Sequence, residues 1–247
     1  MPHKEFVREA PGSHKAVLMI HGIAGSPGHF QELMPMVPED WSIYNILLDG
    51  HGGEVVDFSA TSMEKWKKQV AEVLQRLVES YEKIVIVAHS MGTLFAIQAA
   101  ADHPQKIVGL FLLAVPLRVH MPLSTVEASL RVAAGKTDGH ASAAAMMEAS
   151  SITLDGPFYR YIGWAPRFLE LLEEIKRVRM LLPRMRVPCL AFQSRKDELV
   201  SMEAAKDLQR NSRIKVTVLE NSGHFAYGND DTELLRQRLK ELLTEDK

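Results

Sequence analysis

Apolar runs of strand length recur along this chain with helical stretches between them, and that alternation restricts the fold more than any other feature. The runs are 15–20 (KAVLMI), 41–48 (WSIYNILL), 83–88 (KIVIVA), 106–114 (KIVGLFLLA), 187–194 (VPCLAFQS) and 214–220 (IKVTVLE). Most are continuous rather than alternating, as strands buried on both faces of a parallel sheet are. Helical patterning falls near 30–36, after Ser90, from about Met202 and over 231–243. It is clearest where Met63, Trp66, Val70, Val73, Leu74, Leu77, Val78 and Tyr81 recur every three or four positions behind a capping box at Thr61-x-x-Glu64. Repeated strand–helix units joined by right-handed crossovers predict an α/β fold, with a mostly parallel central sheet flanked by helices.

One segment breaks the rhythm. Residues 116–185 contain no convincing strand, alanines and methionines crowd together in GHASAAAMMEASS, and 170–182 reads as a helix. Roughly seventy residues is too long for an ordinary connection in a compact domain. We therefore expect a core in two parts, 1–115 and 186–247, with a small helical cap inserted at 116–185. The plainer alternative is a pair of crossover helices with a long loop. Met121, Met146, Phe158 and Trp164 are the candidates for an apolar substrate pocket, and the competing role for each is packing the cap onto the core.

Composition narrows the classes. A chain of 247 residues with 46% hydrophobic content can bury one sizeable core. A formal charge of −2, from 29 basic and 31 acidic residues, provides no basic field for nucleic acid or anionic lipid. The N-terminal MPHKEFVREAPGSHK is polar throughout, unlike a secretory signal, and no run reaches the roughly 18 apolar residues of a membrane span. The lone Cys189 can form no internal disulfide, sits inside an apolar run and is expected to be buried and inert. A soluble, cytoplasmic protein is the expectation, with no stable membrane insertion.

Chemistry enters at IVIVAHSMGTLFAIQAAA, where an apolar run turns on Ser90 directly into an alanine-rich helix. Ala88-His89-Ser90-Met91-Gly92 is one substitution away from the nucleophile elbow G-x-S-x-G, in which small residues let strand and helix backbones pass closely. The alternative is a small-residue turn with Ser90 as helix N-cap. A serine hydroxyl needs a base to take its proton, and the base needs a third group to orient it. Asp197 in SRKDELV and His224 in NSGHFAYGND each follow the end of an apolar run, as Ser90 does. In an open α/β sheet that edge is where ligands bind, and Ser, Asp, His is the hydrolase chain order. Singly, these two would be a solvated loop carboxylate and a surface histidine. An acyl-transfer oxyanion needs two fixed donors, for which the backbone N–H groups of Ile23, in HGIAGSP, and Met91 are the candidates. Gly22 and Gly25 would otherwise be turn glycines only.

LMIHGIAGSP, LLDGHGG, IVIVAHSMGTLFAIQAA, LAFQSRKDELV and SGHFAYG fall in the order of the α/β-hydrolase superfamily, and the chain resembles its small bacterial carboxylesterases and monoacylglycerol-lipase-like serine hydrolases. The resemblance spans the sheet and helices and excludes the cap. It implies Ser90 as nucleophile, His224 as general acid/base, Asp197 as its orienting carboxylate, the Ile23 and Met91 amides as oxyanion hole, and no cofactor. Ala88 departs from the usual Gly, and Asp49 stands where the family often has Pro. Asp49 is thus a rival carboxylate, though it follows an earlier strand than Asp197. No metal site is expected, since no H-x-x-x-H or C-x-x-C spacing occurs. His21, His51 and His89 are expected to hydrogen-bond the loops around the site. The expected activity is that of a serine carboxylesterase on small-molecule, uncharged, short-to-medium-chain acyl esters. Alternatives are a monoacylglycerol lipase, thioesterase, acyltransferase or C–C bond hydrolase with the same triad, or a non-catalytic ligand-binding member of the fold.

Overall fold

The computed structural model describes residues 3–120, 147, 150–153 and 158–244. Its strands are β1 (Phe6–Arg8), β2 (Lys15–Ile20), β3 (Ser42–Ile46), β4 (Lys83–His89), β5 (Ile107–Leu113), β6 (Cys189–Ser194) and β7 (Ile214–Leu219). They form one seven-stranded sheet in the order β1-β3-β2-β4-β5-β6-β7. All neighbours are parallel except the β1–β3 pair. Every apolar run of the sequence is a strand, with its ends trimmed by up to two residues or, in β4, extended by one. Ala88 of β4 is level with Ile20 of β2 and Leu112 of β5, so the loops leaving these three strands emerge together. β1 is the one strand that periodicity does not reveal. Three residues are too few to show a period, and the strand is held from outside by Arg8, whose guanidinium donates to the carbonyls of Val37, Pro38 and Trp41.

The helices are α1 (Val55–Ala60), α2 (Met63–Ser80), α3 (Met91–Asp102), α4 (Trp164–Arg179), α5 (Glu203–Leu208) and α6 (Asn229–Thr244). On α2 the residues Met63, Trp66, Val70, Val73, Leu74 and Leu77 are all buried, as their spacing requires. Each contributes about 1.5–3 kcal/mol on leaving water. Its cap differs from the expectation by one residue. Ser62 accepts the Lys65 N–H, while the Thr61 hydroxyl donates to Asp49 Oδ2 at 2.7 Å. A reciprocal capping box does occur, between Glu54 and Asp57 at the start of α1. Residues 30–36 form no α-helix; the chain there makes two 3-10 turns, Pro27–Phe30 and Met34–Met36, each with a proline in its first two positions that fixes φ and lacks an N–H to continue a helix.

Helix α4 starts six residues earlier than 170–182 suggests, because Pro166 falls within its first turn, where the missing N–H has no intrahelical partner in any case. It ends at Arg179, ahead of Pro183, which the chain meets in a 3-10 turn. α4 packs on α1, α2 and α3 through Leu171, Ile175 and Val178. Buried Glu174 pairs with Lys67 of α2 and Arg177, and Glu170 accepts the Met63 N–H at 2.9 Å. Trp164 packs inward, its indole N–H donating to the Val55 carbonyl and its ring 4.7 Å from Phe58. Phe158 opens a 3-10 turn, Phe158–Gly163. Met121 and Met146 lie outside the described residues. One face of the sheet packs on α1 to α4 around Trp66, Phe58 and Leu94; the other packs Phe30, Trp41, Phe111 and Phe192 under α6. No helix among the described residues is long and apolar enough to cross a membrane.

Candidate active site

β4 ends at His89 and α3 begins at Met91, so a single residue turns the chain. Ser90 does this at φ 49°, ψ −122°, outside the regions L-residues favour. Such strain costs about 1–3 kcal/mol and persists only when its surroundings impose it. Here the Ser90 N–H donates to the Leu113 carbonyl at 2.9 Å, and the Ser90 carbonyl accepts both the N–H and the hydroxyl of Thr93. Ser90 stands at the N-cap position of α3, but its side chain makes no capping bond there. Gly92 is obligatory, since a Cβ there would lie 2.2 Å from the Ile20 carbonyl oxygen. The position two residues before Ser90 has no such contact, and the Ala88 methyl is simply buried.

The freed hydroxyl lies 3.1 Å from His224 Nε2. On the other side of the ring, Nδ1 is 2.9 and 3.1 Å from the two carboxylate oxygens of Asp197. A carboxylate can only accept, so Nδ1 carries the proton and Nε2 offers its lone pair to Ser90. Asp197 is itself aimed by the N–H groups of Leu199 and Val200, at 2.8 and 2.7 Å. The His224 backbone is held at both ends, its N–H by Glu198 at 2.7 Å and its carbonyl by His89 Nε2 at 3.1 Å. All three side chains are buried, where these interactions are stronger than in water. The arrangement can take a proton from the serine hydroxyl and return it to a leaving group. Asp49 is elsewhere, pairing with Lys65 and Thr61 at the start of α2, with its carbonyl accepting the Trp66 indole N–H.

The loop after β2 packs directly on this corner: a Cβ at Gly22 would come within 2.9 Å of Ser90 Cβ. In that loop Gly25 N–H donates to Gly22 O and Ala24 N–H to His51 Nε2. Ile23 lies between, and Met91 supplies the first N–H of α3, at the positive end of a helix whose leading amides have no intrahelical acceptors. His21 donates from Nδ1 to Gly22 O and accepts the Leu48 N–H, which ties the loop to β3. Burial lowers the pKa of His21, His51 and His89, to about 4 for His51, so each remains a neutral brace. Burial raises that of the Cys189 thiol inside β6, which keeps it protonated. Among the described residues no three His, Cys, Asp or Glu side chains group to hold a metal ion.

Two participants gave no signal in the sequence. His29 stacks on His89 at 3.7 Å and hydrogen-bonds the Tyr227 hydroxyl at 3.1 Å, across 198 positions of chain. Its pKa is lowered to about 3, first by burial and then by repulsion from His224. His29 lies in none of the quoted motifs and Tyr227 sits near the end of SGHFAYG with no role marked for it, and only the folded loops bring them together.

Comparison with known proteins agrees with this architecture. The family model described as "Serine aminopeptidase, S33" matches residues 11–226. The pimeloyl-[acyl-carrier protein] methyl ester esterase of Neisseria meningitidis serogroup C is 25% identical over 238 residues, covering 89% of this chain and 90% of that protein. A serine hydrolase-like protein of Danio rerio is 30% identical over 105 residues; the match takes in 42% of this chain and spans 32% of that relative's length. Among solved structures, one from a study of the metagenome-derived lipolytic enzymes LipS and LipT superposes with a TM-score of 0.75 at 21% identity, covering 99% of this chain and 98% of that one.

Proposed function

The chain belongs to the hydrolase family described as serine aminopeptidase, S33, and from that premise we propose that it is a serine carboxylesterase acting on uncharged, short-to-medium-chain acyl esters. The observation that carries the reading is the continuous hydrogen-bonded line from Ser90 Oγ through His224 to Asp197. Ser90 Oγ attacks the ester carbonyl carbon as His224 Nε2 takes its proton. The electron pair displaced onto the carbonyl oxygen is stabilised by the Ile23 and Met91 N–H groups, and Asp197 stabilises the imidazolium. The tetrahedral intermediate collapses, the alcohol leaves with the proton from His224, and Ser90 is acylated. Water, deprotonated by His224, then attacks the acyl group and releases the acid and the serine hydroxyl.

An ester is favoured over the free N-terminus of a peptide by the local charges. An aminopeptidase needs a carboxylate for the substrate ammonium, and in the described loop after β6 the two carboxylates, Asp197 and Glu198, are both hydrogen-bonded to His224. Among the described residues of the same loop, Arg195 is engaged by Glu220 and Lys196 by Asn221, which supports an uncharged substrate. The half-buried Ile23 and Leu199 give the site an apolar border. We assign the acyl chain to that apolar border, and keep 116–185 as a helical cap insertion.

The test is hydrolysis of p-nitrophenyl esters from acetyl to dodecanoyl by wild type and Ser90→Ala, with fluorophosphonate labelling in parallel. Turnover that falls by about 10⁴-fold or more in Ser90→Ala, with labelling lost, is expected. Undiminished turnover in the variant would overturn the assignment. Labelling of the wild type without ester turnover would move the reading to thioesters or acyl transfer.

A further inference from the structure

Ala24 follows the proposed oxyanion donor Ile23 and has φ 55°, a left-handed conformation that a side chain with a Cβ disfavours. It is held there from both sides. Its N–H donates to His51 Nε2 at 3.1 Å, and its carbonyl accepts the Ser151 N–H, also at 3.1 Å. The His51 bond requires a neutral ring with the proton on Nδ1, which faces the carbonyls of Leu48 and Asp49, each at 3.2 Å. Burial of the ring against His21, Phe58 and Trp66 keeps it neutral.

Ser151 does more than meet one carbonyl. Its hydroxyl donates to the Gly25 carbonyl at 2.6 Å and accepts the Gly52 N–H at 3.2 Å. It therefore joins the loop carrying Ile23 to the turn carrying His51. Thr153 continues the junction, donating its N–H to the Gly53 carbonyl at 2.9 Å. Ser151 is buried, yet it belongs to the long insertion between β5 and β6, 126 positions from Gly25. A left-handed Ala and one or two net hydrogen bonds are of similar energetic size, so removing part of this set shifts the loop's conformational balance.

We propose that Ser151 is a positioning residue for the oxyanion site: its hydroxyl, held between the Gly25 carbonyl and the Gly52 N–H, fixes the loop so that the Ser151 backbone N–H and His51 hold Ala24 left-handed, which aims the Ile23 N–H at the reacting oxygen. A residue of the long insertion between β5 and β6 thereby completes the oxyanion site. The inference rests on the esterase reading above.

The experiment compares wild type, Ser151→Ala, Ser151→Thr and the double variant Ala24→Gly/Ser151→Ala. For each, kcat and KM on one p-nitrophenyl ester are measured, together with inhibition by an alkyl trifluoromethyl ketone, whose serine hemiketal carries the oxyanion. In Ser151→Ala, kcat is expected to fall about 10- to 100-fold with KM within twofold, and ketone affinity to weaken by a matching factor. Ser151→Thr, which keeps the hydroxyl, should stay close to wild type. Ala24→Gly should recover at least several-fold of the loss in the double variant, because glycine adopts positive φ without a clamp. Unchanged kcat and ketone affinity in Ser151→Ala overturn the proposal. A loss of kcat with unaltered ketone affinity and no recovery by Ala24→Gly also overturns it, leaving Ser151 a merely structural residue. Wild-type protein inert to fluorophosphonate would bring down the esterase reading, and the clamp with it; active wild type with an unaffected Ser151→Ala brings down the clamp alone.

Discussion

Replacing Gly92 with alanine puts a methyl carbon 2.2 Å from the Ile20 carbonyl oxygen and 2.7 Å from that of His21. Both oxygens are backbone atoms at the end of β2, so no side-chain rotation relieves the overlap. Restoring ordinary contact requires the start of α3 to retreat by about 1 Å. That movement carries Ser90, whose Oγ is now 3.1 Å from His224 Nε2, out of hydrogen-bonding reach, and displaces the Met91 N–H with it. A misplacement of this size costs about 10²-fold in rate, and loss of one oxyanion donor about 10²–10³-fold. Gly92→Ala should therefore lower kcat for ester hydrolysis by about 10²–10³-fold. Overpacking of this kind costs about 1–3 kcal/mol, a drop in Tm of roughly 2–12 °C. The control is Ala88→Gly on the other side of the corner. It deletes a buried methyl where no close approach exists, and should cost stability with a several-fold effect on rate at most. Steady-state kinetics and a thermal melt on both variants decide the matter. Gly92→Ala with kcat within threefold of wild type and an unchanged melt would refute the close approach of helix and strand on which this reasoning depends.

Asp197→Asn should lower kcat by about 10³–10⁴-fold through loss of the imidazole's orienting carboxylate, while Asp49→Asn, at the start of α2, should change it less than tenfold. Rates showing the reverse order would reassign the acid. Acid should destabilise the fold early, because His21, His29, His51 and His89 are buried with lowered pKa values, about 3 for His29 and about 4 for His51. Between pH 6.5 and these values the unfolded chain binds more protons than the folded one, so stability rises with pH. It falls on acidification by up to about 1.4 kcal/mol per pH unit for each such ring. Urea midpoints measured from pH 7 to pH 4 should decline steadily, and His29→Gln should flatten the decline; a level profile would contradict the buried-neutral assignment.

Much of this could be read from the chain before any coordinates. β2, β4 and β5 are buried on both faces, and such burial demands the continuous apolar runs that mark them. The corner at Ser90 is legible locally, because an apolar strand passes into an alanine-rich helix within one residue, and the glycine two residues on leaves its mark although the contact that requires it is with the end of β2. Local ambiguity explains several differences. Thr61 and Ser62 are both good caps, and tertiary contact with Asp49 drew Thr61 away. The helix expected over 170–182 begins at Trp164 instead, with Pro166 accommodated in its first turn.

By itself, then, the sequence determined what depends on neighbours along the chain: the strand and helix periods, the one-residue corner, and the order Ser90, Asp197, His224. The tertiary structure decided what depends on residues far apart, since register and loop packing set those distances and no local period encodes them. Asp197 rather than Asp49 at His224, the His29–Tyr227 pair behind His89, and Ser151 against Ala24 are all contacts of this second kind. Ala24 shows the physical reason most directly: its left-handed φ is unfavourable to its own side chain, and it exists because His51 and Ser151 hold it there.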